Sequence, residues 1–407
     1  MTKKQDNNSP LKVISLFSGC GGMDLGFIQA GFEIVYANDI FQDAINTYKK
    51  NIGKHIENKN IMEVKSKELP QDVDVVIGGF PCQGFSIANK NRNTKDERNF
   101  LYLEMLRIIK DIQPKFFVAE NVKGILSLDK GKVFEMIIND FSSLGYSVSY
   151  QLLNSANYGV PQSRERVIII GNRIGVENTF PPFTHNIKGE NLLKKTPTVK
   201  DTIDFLYNVP LSKNPIELDN QNVKVVYNHI ANTNVKDKCF VRKYDIEQKT
   251  IALYLKEQLK KNKLSQKQLI KILGEDYKYL VGHWLRYDKS GSIPIVEDWW
   301  KLKEILNFDD TYDKEVTTFI EKDITFEQSL RISNWDTPSD TITATSPEIH
   351  PNKKRRLSVR ECAMLQTFPN DFVFYGSINN MYKQIGNAVP VLLSKMIANE
   401  IKKKLEK

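Results

Sequence analysis

Short apolar runs alternate with longer amphipathic stretches over the first 184 residues of the chain. The runs are rich in β-branched side chains, which is typical of the buried strands of a parallel sheet. They predict strands at Val13–Phe17, Glu33–Ala37, Val73–Ile77, Lys115–Ala119, Ser147–Leu153 and Arg166–Gly171. The amphipathic stretches predict helices at Asp24–Ala30, Gln42–Lys50, Leu101–Ile112 and Val133–Leu144. This alternation predicts an α/β fold with a doubly wound, Rossmann-like sheet.

The pattern changes at the paired prolines of Phe180–Phe183, which suit a stiff exit from a domain. Residues 185–340 are richer in Asn and Lys and lack the alternation, so they predict a second, smaller domain. Regular helices return with Val359–Gln366 and Pro390–Lys404. Residues 341–407 are therefore expected to rejoin 1–184.

Charge and cysteine content narrow the class of protein. The chain has 407 residues and a formal net charge of +9, which gives weak support for an anionic partner. Its four cysteines form no CxxC pair, so neither a metal site nor a disulfide framework is predicted. No apolar stretch approaches the roughly 20 residues of a membrane helix, and the polar start is unlike a signal peptide. A reduced, cytoplasmic protein is expected.

The turn after the first predicted strand contains Gly19, Gly21 and Gly22. Such a turn exposes backbone N–H groups and a helix N-terminus to a polar ligand. The dinucleotide pattern G-x-G-x-x-G would need glycine where Asp24 stands, which disfavours a pyrophosphate. Asp39, at the end of the second strand, is placed to bind a ribose diol. S-adenosylmethionine fits both observations, and a tight turn without a ligand is the alternative.

Candidate chemistry follows the ends of later strands. Cys82 follows the apolar run Val73–Ile77, at a position where a thiolate could attack carbon, although a buried structural cysteine is the alternative. Glu120 ends the next strand, where it is a proton donor, a helix cap or a solvated loop acid. Arg164 and Arg166 are two positions apart in a further strand, so they point to the same face. They either bind a polar or anionic ligand there or are charged side chains of an edge strand.

Ordered blocks of this sequence resemble the signature motifs of the DNA (cytosine-5)-methyltransferase family. The blocks are Leu16–Gly22, Gly79–Ser86, Glu120–Val122, Gln162–Arg166, Arg356–Pro369 and Gln384–Pro390. They span the chain except for roughly residues 185–340, where this family has its target-recognition domain. The chain is identified as a member, of the bacterial restriction-modification type.

The resemblance implies the catalytic roles. Cys82 would add to C6 of a flipped-out cytosine, and Glu120 would protonate or hydrogen-bond N3. Arg164 and Arg166 would hold the base and its backbone. The methyl group would come from S-adenosylmethionine, and the activity would be that of a DNA (cytosine-5-)-methyltransferase.

The resemblance also implies a cofactor pocket. Its residues would be Phe17, Ser18, Gly19, Gly21, Gly22, Asp39, Ile40, Asn60, Ile61, Pro81, Leu101 and Asn387. Phe17 would stack on the adenine, Ser18 and Gly22 would line the methionine part, and Asp39 would bind the ribose. The family often has an aspartate near the adenine amino group, and Asn60 stands there in this chain, which puts the cofactor affinity in doubt.

Residues 264–306 resemble a helix-turn-helix of the phage-repressor type. Ser265 suits an N-cap and Gly274 a helix end, and lysines cluster in and before the segment. A helical insert with a solvated lysine face is the alternative. The expected partner is double-stranded DNA with a short specific target site, and a cognate restriction endonuclease would be a functional, not a physical, partner. A nucleoid-associated monomer that contacts no membrane is expected.

Two other functions remain open from the residues. The same chemistry could act on transfer RNA, although a helix-turn-helix favours duplex DNA. The chain could also be a DNA-binding regulator without catalysis, which the joint presence of Cys82, Glu120, Arg164 and Arg166 disfavours.

Overall fold

The computed structural model divides the chain into two compact units. The residues that it describes are 9–81, 101–219, 223–231, 248–274, 277, 280–286, 296–321, 332–344, 348–352 and 355–406. Unit 1 comprises Met1–Ile230, Asn334–Pro347 and Ser358–Lys407, and unit 2 comprises Ala231–Ser333 and Glu348–Leu357. Within the described ranges, no helix combines the length and the apolar character that a membrane span needs.

Unit 1 is built on a seven-stranded sheet with the order β3-β2-β1-β4-β5-β7-β6. Its strands are β1 (Leu11–Leu16), β2 (Phe32–Asp39), β3 (Ile56–Asn58), β4 (Val75–Gly78), β5 (Phe116–Val122), β6 (Ser147–Asn154) and β7 (Glu165–Asn172). Strand β7 runs antiparallel to β5 and β6, and the other pairs are parallel. The predicted Rossmann-like α/β sheet is therefore confirmed. Two short ribbons follow it, formed by β8 (His185–Asn186) with β9 (Lys194–Lys195) and by β10 (Ile216–Glu217) with β11 (Val225–Val226).

The helices of the described residues lie in both units. They are α1 (Gly22–Gln29), α2 (Gln42–Asn51), α3 (Leu101–Ile112), α4 (Lys132–Ser143), α5 (Val199–Ile203), α6 (Gln248–Lys261), α7 (Gln266–Leu273), α8 (Val296–Leu306), α9 (Asp313–Glu321), α10 (Val359–Leu365), α11 (Ile378–Asn387) and α12 (Val391–Leu405). Short 3₁₀ segments are Ile61–Glu63, Ser66–Glu68, Lys123–Gly131, Ser155–Tyr158 and Asp204–Leu206, and Val281–Leu285 is a π-helical turn. Helices α6 to α9 belong to unit 2.

The sheet of unit 1 is buried on both faces. Successive residues of β1 point to opposite sides, so Val13 and Ile14 belong to different hydrophobic clusters. Phe27 of α1 and Leu393 of α12 cover the face of Val13, and Ile108 of α3 covers the face of Ile14. Burial on both sides is what the continuous apolar runs predicted.

The boundaries of the units differ from the predicted domains. Contacts group residues 185–230 and 334–340 with unit 1, whereas the sequence predicted a second domain over 185–340. Thr196 Oγ1 donates a hydrogen bond to the carbonyl oxygen of Ala156 at 2.8 Å. Helix α5 is buried on its apolar side and contacts α10. These buried contacts tie a polar, Asn-rich segment to the first unit.

Unit 2 is helical in its described part, with a core around two tryptophans. The rings of Trp284 and Trp299 lie 5.4 Å apart in an edge-to-face arrangement. Helix α7 begins at a capping box formed by Ser265 and ends at Gly274, as the sequence predicted. Of the predicted helix-turn-helix segment 264–306, residues 275, 276, 278, 279 and 287–295 lie outside the described residues.

Candidate active site

The glycine turn joins β1 to α1 at the carboxyl end of the sheet. The N–H of Gly21 donates to the carbonyl oxygen of Ser18 at 2.9 Å, and its φ of 88° is in the left-handed region. A Cβ on Gly21 would lie 2.2 Å from Cδ1 of Ile52, and one on Gly22 would lie 2.7 Å from the carbonyl oxygen of Val389. Glycine is therefore required at Gly21 by its left-handed backbone and at Gly22 by close packing against a backbone oxygen.

Asp39 ends β2 directly beside this turn. Its Oδ2 accepts a hydrogen bond from the N–H of Gly19, and its Oδ1 accepts one from the N–H of Phe41, both at 2.8 Å. Burial raises the pKa of the Asp39 carboxyl, while these backbone donors and the nearby Lys383 oppose the shift. The ammonium of Lys383 lies over the Phe41 ring, 4.6 Å from its centroid. Asp39 therefore fixes the turn and still has lone pairs for a ligand hydroxyl.

Glu120 and Arg166 meet across the antiparallel pair β5 and β7. Nε of Arg166 lies 2.8 Å from Oε1 of Glu120, and each side chain is 11% exposed. Burial lowers the pKa of the Arg166 guanidinium, and the charge of Glu120 opposes that shift. A carboxyl oxygen is thus held by a cation at the carboxyl end of β5, where open α/β sheets bind their ligands.

The loop after β4 is fixed against β5 as far as Pro81. Nδ2 of Asn121 donates to the carbonyl oxygen of Phe80 at 3.0 Å. A Cβ on Gly79 would lie 2.9 Å from Oε2 of Glu120, so glycine lets the carboxylate approach the loop. Cys82 follows Pro81 in the chain and lies outside the described residues.

Arg164 is fully buried and faces backbone. Its Nη1 donates to the carbonyl oxygen of Ile342 at 3.0 Å, and its Nη2 donates to that of Gly386 at 2.8 Å. Burial, reinforced by the charge of Arg166, holds the pKa of Arg164 well below its usual range. Both terminal nitrogens are thus occupied, so Arg164 joins segments of unit 1 and Arg166 is the arginine that contacts Glu120.

These groups border one cavity of about 550 Å³ within unit 1. The predicted site residues that line it are Phe17, Ser18, Gly19, Gly22, Asp39, Ile40, Asn60, Ile61, Pro81, Leu101, Glu120, Arg164, Arg166 and Asn387. Gly21 does not line it, because it packs behind the turn. The volume lies in the range of about 300–1,000 Å³ that is usual for small-molecule sites.

Sequence reasoning missed several lining residues. They are Ser15, Asp24, Asn38, Phe41 and Lys383, among others. Asp24 served in the sequence only as the residue that breaks a glycine pattern. Lys383 immediately precedes the recognisable block Gln384–Pro390, so proximity to that block was the one available signal.

Asn60, which stands where the family often has an aspartate, lines the cavity and also caps a short helix. Its Oδ1 accepts a hydrogen bond from the N–H of Met62 at 3.2 Å and caps the 3₁₀ segment Ile61–Glu63. The neutral amide therefore has a local structural role as well as a place on the cavity wall. Nowhere in the described part of the chain do three or more His, Cys, Asp or Glu side chains form a group that could hold a metal ion.

Comparisons with known proteins give one family. The sequence model described as C-5 cytosine-specific DNA methylase matches residues 11–403. The type II methyltransferase M.FnuDI of Fusobacterium nucleatum is 33% identical over 420 residues, which cover 97% of this chain and 95% of that protein. The type II methyltransferase M.BsuRI of Bacillus subtilis is 34% identical and covers 96% of this chain and 79% of its own length.

Solved structures agree on the fold. A DNA modification methyltransferase encoded within an Escherichia coli prophage has a TM-score of 0.59 and 22% identity, covering 98% of this chain and 100% of that one. The Entamoeba histolytica methyltransferase EhMeth has a TM-score of 0.54 and 16% identity, with the same coverage. At these identities the likeness shows the fold alone.

Proposed function

Because the chain belongs to the C-5 cytosine-specific DNA methylase family, we propose that it methylates C5 of cytosine in DNA as the modification enzyme of a type II restriction-modification system. The observation that carries this proposal is the ion pair of Glu120 and Arg166, which borders a cavity of ligand size beside the loop leading to Cys82. S-adenosylmethionine is the methyl donor of this family.

The residues of the cavity fit S-adenosylmethionine. The cofactor is cationic, and the acidic residues Asp39 and Asp24 both line the cavity. Oδ1 of Asn38 is buried without a hydrogen-bond partner among the described residues, and Asn38 lines the same cavity. When bound, the cofactor supplies an electrophilic methyl group. Asp39 would accept from the ribose hydroxyls, and Ile40, which is 69% exposed, would cover an apolar surface of the nucleoside.

The target ring must be activated before it can accept a methyl group, because C5 of cytosine is a poor nucleophile. We assign the nucleophile to Cys82, whose thiolate would form a bond to C6. Glu120 would donate a proton or hydrogen bond to N3, so that the electron pair reaches C5. After methyl transfer, loss of the C5 proton to a base breaks the bond between C6 and sulfur. The cytosine must leave the duplex for this chemistry.

Arg164 and Arg166 have different proposed roles. Arg166 holds the Glu120 carboxyl at 2.8 Å and would contact the flipped base beside it. Arg164 is fully buried on two carbonyl oxygens, so it would position the strand that carries Arg166. The prediction that the two arginines hold the base and its backbone becomes, for the contact with the base, a proposal for Arg166.

We assign recognition of the DNA target to unit 2 and propose that its helix-turn-helix segment contacts the target site. Lys260, Lys261, Lys263 and Lys267 are exposed on or beside α6 and α7, where they would neutralise phosphates. Trp284 is fully buried, so it serves the helical core and not a base contact. We propose a monomer in the bacterial cytoplasm, associated with the nucleoid, and a cognate endonuclease that acts on the same site without binding the protein.

Transfer RNA methylation is the second candidate, supported by the shared chemistry of the cavity. The similarity of this chain to type II methyltransferases over most of its length favours DNA. A regulator without catalysis would have no need of the buried pair between Glu120 and Arg166. Incubating the protein with labelled cofactor and either duplex DNA or transfer RNA separates these functions, because the regulator would label neither.

Trapping the covalent adduct tests the assigned nucleophile. DNA amplified with 5-fluorocytosine in place of every cytosine contains every short target site, and fluorine at C5 cannot leave as a proton does. In the presence of S-adenosylmethionine, the wild type should form a protein–DNA adduct that survives denaturation. Cys82→Ala should form none, whereas Cys362→Ala, a buried cysteine of α10 away from the cavity, should still form it. An adduct with Cys82→Ala would place the nucleophile elsewhere.

A further inference from the structure

A chain of hydroxyl groups connects a buried carboxylate to the cavity beneath the glycine turn. Asp24 of α1 is fully buried. Oγ of Ser15 donates a hydrogen bond to Oδ1 of Asp24 at 2.8 Å. Oγ of Ser18 donates to Oγ of Ser15 at 2.9 Å and lies 3.1 Å from the Ser15 carbonyl oxygen. Ser15, Ser18 and Asp24 all line the cavity of unit 1.

The number of protons available on the two serine hydroxyls fixes the donor and the acceptor in each of these hydrogen bonds. A serine hydroxyl has one proton and two lone pairs, and an ionised carboxylate can only accept. The Ser15 proton is directed to Asp24, so Oγ of Ser15 can only accept from Ser18. The Ser15 carbonyl oxygen can also only accept. Whichever acceptor it uses, Ser18 directs its proton towards Ser15 and leaves its own lone pairs for the cavity.

The carboxylate of Asp24, where these hydrogen bonds end, accepts from neutral donors. Oη of Tyr48 also donates to Asp24, at its Oδ2, at 2.8 Å, and Nε2 of His55 lies 3.0 Å from the Tyr48 oxygen. Burial raises the pKa of Asp24 to about 6, and the bonds from Tyr48 and Ser15 oppose that shift. Asp24 is therefore ionised at pH 8. Among the described residues it forms no ion pair with a cationic side chain, so a cation brought by a ligand would stabilise it.

We infer that Asp24 is a positioning residue for the cofactor, acting through Ser15 to make the Ser18 oxygen an acceptor for the α-ammonium group of S-adenosylmethionine. The ammonium is the group of this cofactor that is both cationic and an N–H donor. The sulfonium has no proton to donate, and the ribose hydroxyls and adenine amine are neutral. The inference rests on the proposed function, because it takes S-adenosylmethionine as the ligand.

Binding of two product analogues tests the inference without any turnover. The probes are S-adenosylhomocysteine and its desamino analogue, which keeps the carboxylate but lacks the α-amino group, with affinities measured by calorimetry at pH 8. The wild type should bind the amino-bearing probe roughly 10- to 100-fold more tightly. Ser18→Ala and Asp24→Asn should lose most of that preference, while their affinity for the desamino probe stays within about 2-fold of the wild type's.

Tyr48→Phe is the matched control, because it removes the other buried hydrogen bond to Asp24 and leaves the chain to Ser18 in place. It should keep the preference for the amino group. Equal weakening of both probes in Ser18→Ala, or loss of the preference in Tyr48→Phe, would overturn the inference. Ser18→Ala removes one oxygen at the cavity wall, so the test stands even where Asp24→Asn fails to fold. A wild type that binds neither probe would instead overturn the proposed function.

Discussion

At the scale of single residues, the contact between Glu120 and Arg166 sets the chemistry of the cavity. Both side chains are largely buried, and the 2.8 Å separation of Arg166 Nε and Glu120 Oε1 leaves the second carboxyl oxygen towards Gly79. A carboxyl group in this position can exchange a proton with a ring nitrogen of a base entering the cavity. The guanidinium of Arg166 helps to hold this orientation.

Replacing Glu120 tests that role. Glu120→Gln keeps the shape and a hydrogen-bonding group but supplies no acid proton, so the single-turnover rate of methyl transfer should fall by roughly 10²-fold or more. DNA affinity should change little. Glu165→Gln is the matched control, because Glu165 lies at the same end of the sheet and forms an exposed pair with Lys123. A Glu120→Gln enzyme as fast as the wild type would show that N3 is protonated by another group.

Replacing Arg164 should mainly lower the stability of the protein, whereas replacing Arg166 should mainly slow methyl transfer. Arg164 bonds two carbonyl oxygens from two nitrogens of a rigid planar group, and a shorter lysine with a single donor nitrogen does not reproduce that geometry. Arg164→Lys should therefore lower the free energy of unfolding by about 1–3 kcal/mol. Arg166→Lys should keep stability near that of the wild type and slow single-turnover methylation. Thermal unfolding and rapid-quench rates measure the two effects. The opposite assignment, with Arg166→Lys unstable and Arg164→Lys slow, would contradict the account.

The sequence predicted which residues border the cavity better than it predicted their partners. Asp39 and Glu120 were expected at strand ends because the strand pattern located those ends. The pairing of Arg166 with Glu120 depends on an antiparallel register between β5 and β7, which no short pattern encodes. The hydroxyl chain from Asp24 was missed for the same reason, since Ser15 and Asp24 are nine positions apart and meet only when α1 packs on the sheet.

At the scale of elements, α1 and α12 are in close contact through a glycine. A Cβ on Gly26 would lie 2.4 Å from Cβ of Ser394 and 2.6 Å from the backbone nitrogen of Lys395. A backbone atom cannot move aside as a side-chain tip can. The apolar pattern predicted both helices, but nothing in it indicated that they would pack against each other. The three-residue strand β3 was missed because its run is too short for periodicity.

Adding one methyl group at this contact should weaken the fold. Gly26→Ala should lower the free energy of unfolding by about 1–3 kcal/mol, because the added carbon forces the helices apart. Gly124→Ala is the control, since no atom lies within 4 Å of the Cβ that it would add. Denaturant unfolding of both variants decides the matter. A Gly26→Ala protein as stable as the wild type would mean that α1 and α12 pack more loosely than the structure shows.

At the scale of the whole molecule, chemistry and recognition are assigned to different units. The described residues that line the cavity all belong to unit 1, and the exposed lysines of α6 and α7 belong to unit 2. Composition predicted a second domain over 185–340, but it could not show that contacts group 185–230 with unit 1, because that grouping depends on buried contacts such as that of Thr196 with Ala156.

Exchanging unit 2 should transfer specificity. A chimera in which residues 231–333 come from a relative with a different target should methylate the relative's site, as methylome sequencing would show. Lys260→Ala and Lys261→Ala should weaken binding to all DNA sequences and reduce its salt dependence by about one phosphate contact each. A folded chimera that still marks the original site would place recognition in unit 1.

The most direct test of the central claim is nucleoside mass spectrometry of cells that express the protein, with DNA and transfer RNA analysed separately. Matched cells expressing Cys82→Ala provide the background. We expect 5-methyl-2′-deoxycytidine in DNA and no added 5-methylcytidine in transfer RNA. DNA without added 5-methyl-2′-deoxycytidine from cells that contain folded protein, or methylation found only in transfer RNA, would contradict it.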